Sequence, residues 1–77
     1  MHKFQLEAIV AEWSKIAKEN LTVKFFPNSK NAVICGSELA CYRLAYKLTP
    51  EMLNGMLPSV YHSPKYNSWI CDVYFEF

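Results

Sequence analysis

The sequence has little glycine, little charge and no long apolar run. Its 77 residues include 2 glycines and 4 prolines, too few for a collagen-like or low-complexity chain. Eight Lys and Arg against seven Asp and Glu leave a net charge of +1, without the basic excess usual in proteins that bind nucleic acids or adsorb to membranes. No run approaches the roughly 18 apolar residues of a membrane span. We therefore expect no membrane association, and nucleic acid is a disfavoured partner.

The cysteines are few and widely spaced. Cys35, Cys41 and Cys71 are odd in number, whereas small secreted domains carry dense, even sets of disulfide-bonded cysteines. Their spacing also lacks the closely paired ligands of a structural zinc site. Glu7 and Glu12 interrupt the apolar segment that a signal peptide requires. We predict free, buried thiols in a cytoplasmic protein that holds no metal and no cofactor.

Catalytic motifs are missing as well. The sequence contains no nucleophile elbow, no glycine-rich phosphate loop and no HExxH motif. A cysteine paired with His62 would satisfy the residue types of a nucleophile and base, but residue types alone are a weak signal. A chain of this size also has little depth for a substrate pocket of ~300 Å³ or more. We predict that the protein is not an enzyme.

Apolar and aromatic residues are abundant. Hydrophobic residues make up 52% of the chain and aromatic residues 16%, which excludes intrinsic disorder. The length suits one domain over residues 1–77. Apolar residues at helical spacing predict an amphipathic helix over residues 4–19. Alternation predicts strands over 21–26 and 69–77, and an apolar run after a turn over 27–31 predicts a strand over 32–35. A further short strand is expected over 57–62.

Residues 38–48 fit two structures. In a helix, Cys41, Leu44, Ala45 and Leu48 would form an apolar stripe. In a strand, every second residue from Ala40 to Leu48 would place an apolar or aromatic side chain on one face. We favour a strand, because Gly36-Ser37 suits a two-residue hairpin turn. Thr49-Pro50 is also a typical start for a new short helix, which we place over residues 50–56.

These elements predict an α+β fold. An N-terminal amphipathic helix would pack on one face of a four- or five-stranded antiparallel sheet, with a short second helix as a connection. The last strand, ending at Phe77, would lie at a sheet edge. The expected core residues are Leu6, Ile9, Val10, Trp13, Ile16, Val23, Phe25, Tyr42, Leu44, Tyr46, Trp69, Val73 and Phe75.

One surface is more apolar than a solvated sheet face should be. In the strand register, Ile34 and Leu39 lie on the face away from the helix, bordered by Arg43 and Lys47. An apolar patch with a charged rim is typical of a binding surface. The loop over residues 61–66 adds exposed aromatic and basic residues: Tyr61, His62, Lys65 and Tyr66. We predict a protein-binding module whose partner is a larger protein or complex, and an open edge at the last strand would favour a homodimer.

The alternative is a small nucleic-acid-binding domain. Lys24, Lys30, Arg43 and Lys47 would gather on the outward sheet face, with tyrosines as stacking partners. An ordinary solvated face explains the same residues, and we prefer that interpretation.

A general likeness accompanies the protein-binding hypothesis. A small, aromatic-rich α+β chain without catalytic motifs resembles the inhibitors encoded by phages and other mobile elements, including anti-CRISPR proteins. The resemblance rests on size and on the lack of catalytic motifs rather than on matching residues. It implies an inhibitor that blocks a larger host complex by covering its surface.

Overall fold

The computed structural model describes residues 2–75 and confirms the predicted α+β class. The elements are α1 (Lys3–Ala17), β1 (Thr22–Phe26), β2 (Asn31–Gly36), α2 (Glu38–Lys47), β3 (Ser59–Ser63) and β4 (Ser68–Tyr74). The four strands form one antiparallel sheet in the order β1-β2-β4-β3. His2 caps the N-terminus of α1, and its backbone N–H donates to Gln5 Oε1 at 2.7 Å.

Both helices pack on the same face of the sheet. Ala32 and Ile34 of β2 stand opposite Val73 and Cys71 of β4, and all four are buried. The helices cover this row with apolar side chains, so the core lies between the two layers. The fully or nearly fully buried helix residues are Leu6 and Val10 of α1 and Ala40, Cys41 and Leu44 of α2.

The topology repeats a helix followed by a hairpin. In the central pair, Ile34 of β2 stands directly opposite Cys71 of β4, and these two residues occupy equivalent positions in the two hairpins. An approximate twofold axis therefore passes between β2 and β4. The repeat is mainly structural: an apolar strand pattern recurs and Pro27 is equivalent to Pro64, but the side chains at most equivalent positions differ.

The two hairpin turns share one design. The backbone N–H of Lys30 donates to the carbonyl of Pro27, and that of Asn67 donates to the carbonyl of Pro64, both at 3.2 Å. Lys30 and Asn67 both have positive φ angles, 52° and 49°. The predicted turn over residues 27–31 is therefore confirmed, and a proline occupies the first position of both turns.

The strand preferred for residues 38–48 is wrong, because this segment is helix α2. Gly36 ends β2 and Ser37 caps the helix instead of forming a hairpin turn with it. A Cβ atom at Gly36 would collide with the side chain of Leu21. The glycine thus permits a close approach between β2 and the segment after α1.

The short helix predicted over residues 50–56 is also wrong. This segment forms consecutive turns, in which Met52 and Leu53 donate to the carbonyl of Thr49. Asn54 and Gly55 have φ angles of 55° and 84°. Because two successive residues have positive φ, the backbone leaves the right-handed helical conformation before a regular α-helix can form.

The last predicted strand forms, but it does not lie at an edge. Strand β4 pairs with β2 on one side and β3 on the other, so β1 and β3 are the edge strands. The strand predicted over residues 57–62 is confirmed as β3, shifted slightly along the chain to Ser59–Ser63. Glu76 and Phe77, which the prediction included in the last strand, lie outside the described residues.

Three of the predicted core residues are exposed. Ile16 is 53% exposed, Tyr42 53% and Tyr46 92%. Because residues 38–47 are helical, Tyr42 and Tyr46 are one turn apart on the side of α2 that faces away from Leu44. The other predicted core residues are buried or pack partly buried against the core.

Candidate functional site

The position of α2 is fixed by Ser37, the residue that caps its N-terminus. The Ser37 hydroxyl accepts a hydrogen bond from the backbone N–H of Ala40 at 3.1 Å and donates one to Glu19 Oε2 at 2.7 Å. The backbone N–H of Ser37 donates to Glu19 Oε1, also at 2.7 Å. Glu19 follows α1, so its carboxylate joins the end of α1 to the start of α2. This contact holds the two helices side by side on the sheet.

The outer sides of the two helices form one exposed surface, which we call the helical surface. Tyr46 is 92% exposed and Leu39 60% exposed, although both are large and hydrophobic. Ile16 of α1 is exposed beside them. The helical surface comprises Trp13, Ile16, Leu39, Tyr42, Arg43, Tyr46 and Lys47.

A groove runs between α1 and α2 within this surface. Its wider part has a volume of about 640 Å³ and is lined by Trp13, Ile16, Arg43, Tyr46, Lys47 and Thr49. A smaller hollow of about 110 Å³ adjoins it, shares Ile16 and Arg43, and reaches Ser37 at the start of α2. The groove therefore extends along α2 from one end to the other.

Among residues 2–75, the two cations of the groove have no partner of opposite charge. Arg43 and Lys47 are one turn apart on α2, and within residues 2–75 neither forms an ion pair or a side-chain hydrogen bond. The neighbouring carboxylate of Glu19 already accepts both hydrogen bonds from Ser37. The groove thus combines an apolar wall with unpaired positive charge.

The opposite side of the sheet, the open sheet face, is not covered by either helix. It comprises Lys24, Val33, Cys35, Tyr61, Ile70 and Asp72, with Tyr66 from the β3–β4 turn. Val33 and Ile70 are buried although they lie outside the core between the layers. The Lys24 ammonium lies 5.0 Å from the centroid of the Tyr66 ring. Since Lys24 of β1 stands beside Val33, the side chains of Lys24 and the half-buried Tyr66 together span this face.

Most polar side chains on the open sheet face hydrogen-bond to one another, although the buried Oδ1 of Asn31 accepts no hydrogen bond from residues 2–75. Asn31 Nδ2 donates to Asp72 Oδ1 at 2.9 Å, and the Tyr61 hydroxyl donates to Asp72 Oδ2 at 3.4 Å. Burial, followed by the charge of Asp72, raises the pKa of Tyr61. Lys65 joins Lys24 near the Tyr66 ring, at 5.6 Å from its centroid. This face therefore offers few unpaired groups to a ligand.

An aromatic cluster connects the β3–β4 hairpin with α2. The ring of His62 lies 5.7 Å from that of Trp69 in an edge-to-face contact, and Trp69 lies 6.3 Å from Tyr42. His62 is exposed at the edge strand. Its ring packs against aromatic neighbours, and this packing explains the residue without a catalytic role.

The core cysteines are poor nucleophiles. Burial raises the pKa of Cys41 to about 11, with a smaller contribution from Cys35. Burial also raises the pKa of Cys71 to about 12, with Cys41 as the next cause. Both thiols stay protonated at neutral pH, and the thiolate is the reactive form. The prediction of buried free thiols is confirmed for these two, whereas Cys35 is half-buried on the open sheet face.

The structure divides the predicted site residues between two regions. Leu39, Arg43 and Lys47 lie together on the helical surface, while Tyr61 and the β3–β4 turn lie across the sheet. Ile34 is wrong as a surface residue, because it faces the helices and is fully buried. The remaining predicted residues all belong to the β3–β4 hairpin: Tyr61, His62, Lys65 and Tyr66.

The predicted basic sheet face does not form. Lys24 lies on the open sheet face and Lys30 in the β1–β2 turn. Arg43 and Lys47 lie on α2, in the other layer of the fold. The predicted core list includes four residues that belong to the helical surface: Trp13, Ile16, Tyr42 and Tyr46.

The fold and surfaces define a two-layer α+β domain with an exposed interhelical groove. Comparison with known protein families, with curated proteins and with solved structures gives no match. Across residues 2–75, neither helix has the length and apolar content needed to cross a membrane. Function must therefore be argued from the surfaces themselves.

Proposed function

We propose that this chain is a small non-catalytic protein-binding module whose partner docks on the helical surface. The observation that carries the proposal is the exposure of Ile16, Leu39 and Tyr46 beside the unpaired Arg43 and Lys47. Large exposed apolar side chains next to tyrosine and arginine are typical of the centre of a protein interface. The open sheet face supports binding less well, because its lysines and its carboxylate already have partners.

The size of the molecule suits this role. Its extents are 27 × 25 × 18 Å, so one broad face approaches the ~800 Å² that each partner contributes to a typical stable interface. A partner seated there would cover much of one side of the protein. We propose that the chain acts by occlusion, as an inhibitor of a larger host complex of the kind that phages and mobile elements encode, anti-CRISPR proteins among them.

The test is affinity capture from a lysate of the source cells with three immobilised baits. The baits are the unaltered protein, Tyr46→Asp on the helical surface and Tyr61→Asp on the open sheet face. Both tyrosines are exposed, so both variants should keep the fold, which circular dichroism checks. We expect one partner to be recovered with the unaltered protein and with Tyr61→Asp, and at least about tenfold less with Tyr46→Asp.

Two outcomes would contradict the proposal. Equal recovery with all three baits would place the contact outside the helical surface. Selective loss with Tyr61→Asp would move the interface to the open sheet face. Quantitative mass spectrometry of the captured proteins distinguishes these results.

A nucleic-acid-binding domain is the second candidate. Lys24 and Lys65 beside the Tyr66 ring favour it, since aromatic rings with flanking cations bind single strands. Asp72 on the same face opposes it by repelling phosphates. Anisotropy titration with a labelled single-stranded oligonucleotide at low salt tests this candidate, and an unchanged signal at micromolar protein removes it.

A further inference from the structure

The shape of the groove limits the partner segment that it can accept. The groove lies between two helices and follows α2, whose ten residues correspond to about 15 Å of helix. A third helix packs in such a position at an interaxial distance of about 8–10 Å. An added β-strand would need a sheet edge, and the edges belong to β1 and β3 instead of the helical layer. The groove geometry therefore favours an amphipathic helix.

The charges of the groove specify the polar side of that helix. Arg43 and Lys47 are separated by one helical turn, the spacing at which side chains lie about 5–6 Å apart on one helix face. Two carboxylates one turn apart on a partner helix would meet both cations. Between them, apolar side chains of the partner would contact Trp13 and Ile16 on the α1 side.

A second copy of this chain fits the groove poorly. In a twofold contact each copy presents the same patch, so Arg43 and Lys47 of one copy would approach the same cations of the other. The like charges would then be partly desolvated without compensation. Charge complementarity thus favours a different, acidic partner.

We propose that the groove binds an acidic amphipathic helix of the partner, with carboxylates one turn apart facing Arg43 and Lys47 and an apolar stripe facing Trp13 and Ile16. This inference rests on the proposed function of the helical surface. It adds the chemistry and the secondary structure of the segment that is recognised.

The test uses a display library of helical peptides of about 16 residues, selected in parallel on three baits. These are the unaltered protein, the double variant Arg43→Glu/Lys47→Glu, and the matched control Lys24→Glu/Lys65→Glu on the open sheet face. We expect the unaltered protein and the control to enrich peptides that carry Asp or Glu one turn apart beside an apolar stripe. The Arg43→Glu/Lys47→Glu bait should enrich basic peptides instead.

The selected acidic peptide then provides an affinity measurement. We expect its Kd to rise at least about tenfold with Arg43→Glu/Lys47→Glu and to stay within about twofold with the control pair. Enriched peptides without an acidic bias, or no enrichment at all, would overturn the inference. The proposed function would still stand if Tyr46→Asp abolishes capture of the cellular partner.

A further measurement distinguishes a failure of this inference from a failure of the proposed function. Acidic peptides that bind Tyr46→Asp and Ile16→Asp as well as the unaltered protein would lie outside the groove. That result would contradict the inference. It would contradict the proposed function as well only if Tyr46→Asp also left capture of the cellular partner unchanged. Selection of a peptide derived from this chain's own sequence would indicate self-association and would also overturn the inference.

Discussion

On the open sheet face, Lys24 and Lys65 lie 5.0 and 5.6 Å from the centroid of the Tyr66 ring. On the helical surface, Arg43 and Lys47 have no such partner among residues 2–75. Both regions combine aromatic residues with cations, so composition alone does not distinguish them. The two regions differ in whether the fold already provides partners for their cations. Cations without such partners, beside exposed apolar residues, are available to contact a binding partner.

The largest expected effect separates the two sides of α2. Leu44 is fully buried and Leu39 is 60% exposed on the same helix. Leu44→Ala should lower the free energy of unfolding by about 3 kcal/mol, because it removes apolar contacts and leaves a cavity. Leu39→Ala should change it by less than about 0.5 kcal/mol. Urea denaturation measures both values.

A milder substitution at Leu44 serves as a control for Leu44→Ala and Leu39→Ala. Leu44→Met keeps most of the side-chain volume and should cost less than about 1.5 kcal/mol. Similar losses for Leu39→Ala and Leu44→Ala would mean that the helical surface contributes to stability. Its exposed residues would then need no partner to explain them.

The same comparison shows why the sequence alone indicates part of the helical surface. Leu39, Arg43 and Lys47 recur every four positions, a spacing that keeps residues on one side of either a strand or a helix. Their common face was therefore predictable although the preferred strand was wrong. Ile34 lies in a different element, so its side depended on the assumed hairpin register, and the prediction failed there.

Other features depended on distant contacts. The periodicity of α1 and the alternation of β4 were sufficient to predict both elements. The start of α2 depends on Glu19, which accepts hydrogen bonds from Ser37, and no local pattern reveals that pairing. Ser37 followed by Glu38 was nevertheless a usable sign of a helix start.

The next largest expected effect is a difference in alkylation rate between the core thiols and the thiol of the open sheet face. Burial raises the pKa values of Cys41 and Cys71 to about 11 and 12, whereas Cys35 is only half-buried. Iodoacetamide at about pH 8 should modify Cys35 at least about 100-fold faster than the other two. Mass spectrometry of the native protein should show one early adduct, and the denatured protein should show three.

The pH dependence has a definite sign. The core thiols are neutral in the fold, and unfolding returns them towards their ordinary pKa of 9.0. Above about pH 9 the unfolded state loses protons that the folded state retains, so the free energy of unfolding should fall between about pH 9 and 12. Equal alkylation of all three native thiols would show that the core opens to solvent and would contradict both expectations.

A smaller effect compares one tyrosine from each surface. Tyr66 is half-buried across the open sheet face, and Tyr46 is 92% exposed. Tyr66→Ala should uncover Val33 and Ile70 and lower the free energy of unfolding by about 2 kcal/mol, roughly half the cost of deleting a fully buried ring. Tyr46→Ala should change it by no more than about 0.5 kcal/mol. If the two losses are equal in thermal or urea denaturation, Tyr66 does not seal its face.

The smallest effect compares one lysine from each surface. Lys24→Met keeps most of the apolar stem but removes the ammonium that lies beside Tyr66, which should lower the free energy of unfolding by about 0.5–1 kcal/mol. Lys47→Met removes a cation that has no partner among residues 2–75, so stability should stay unchanged or rise slightly. Both variants lose one positive charge, and the change in overall charge therefore cancels from the comparison. A loss for Lys47→Met as large as that for Lys24→Met would show that the groove cations stabilise the fold, leaving partner binding unsupported as the reason for their position.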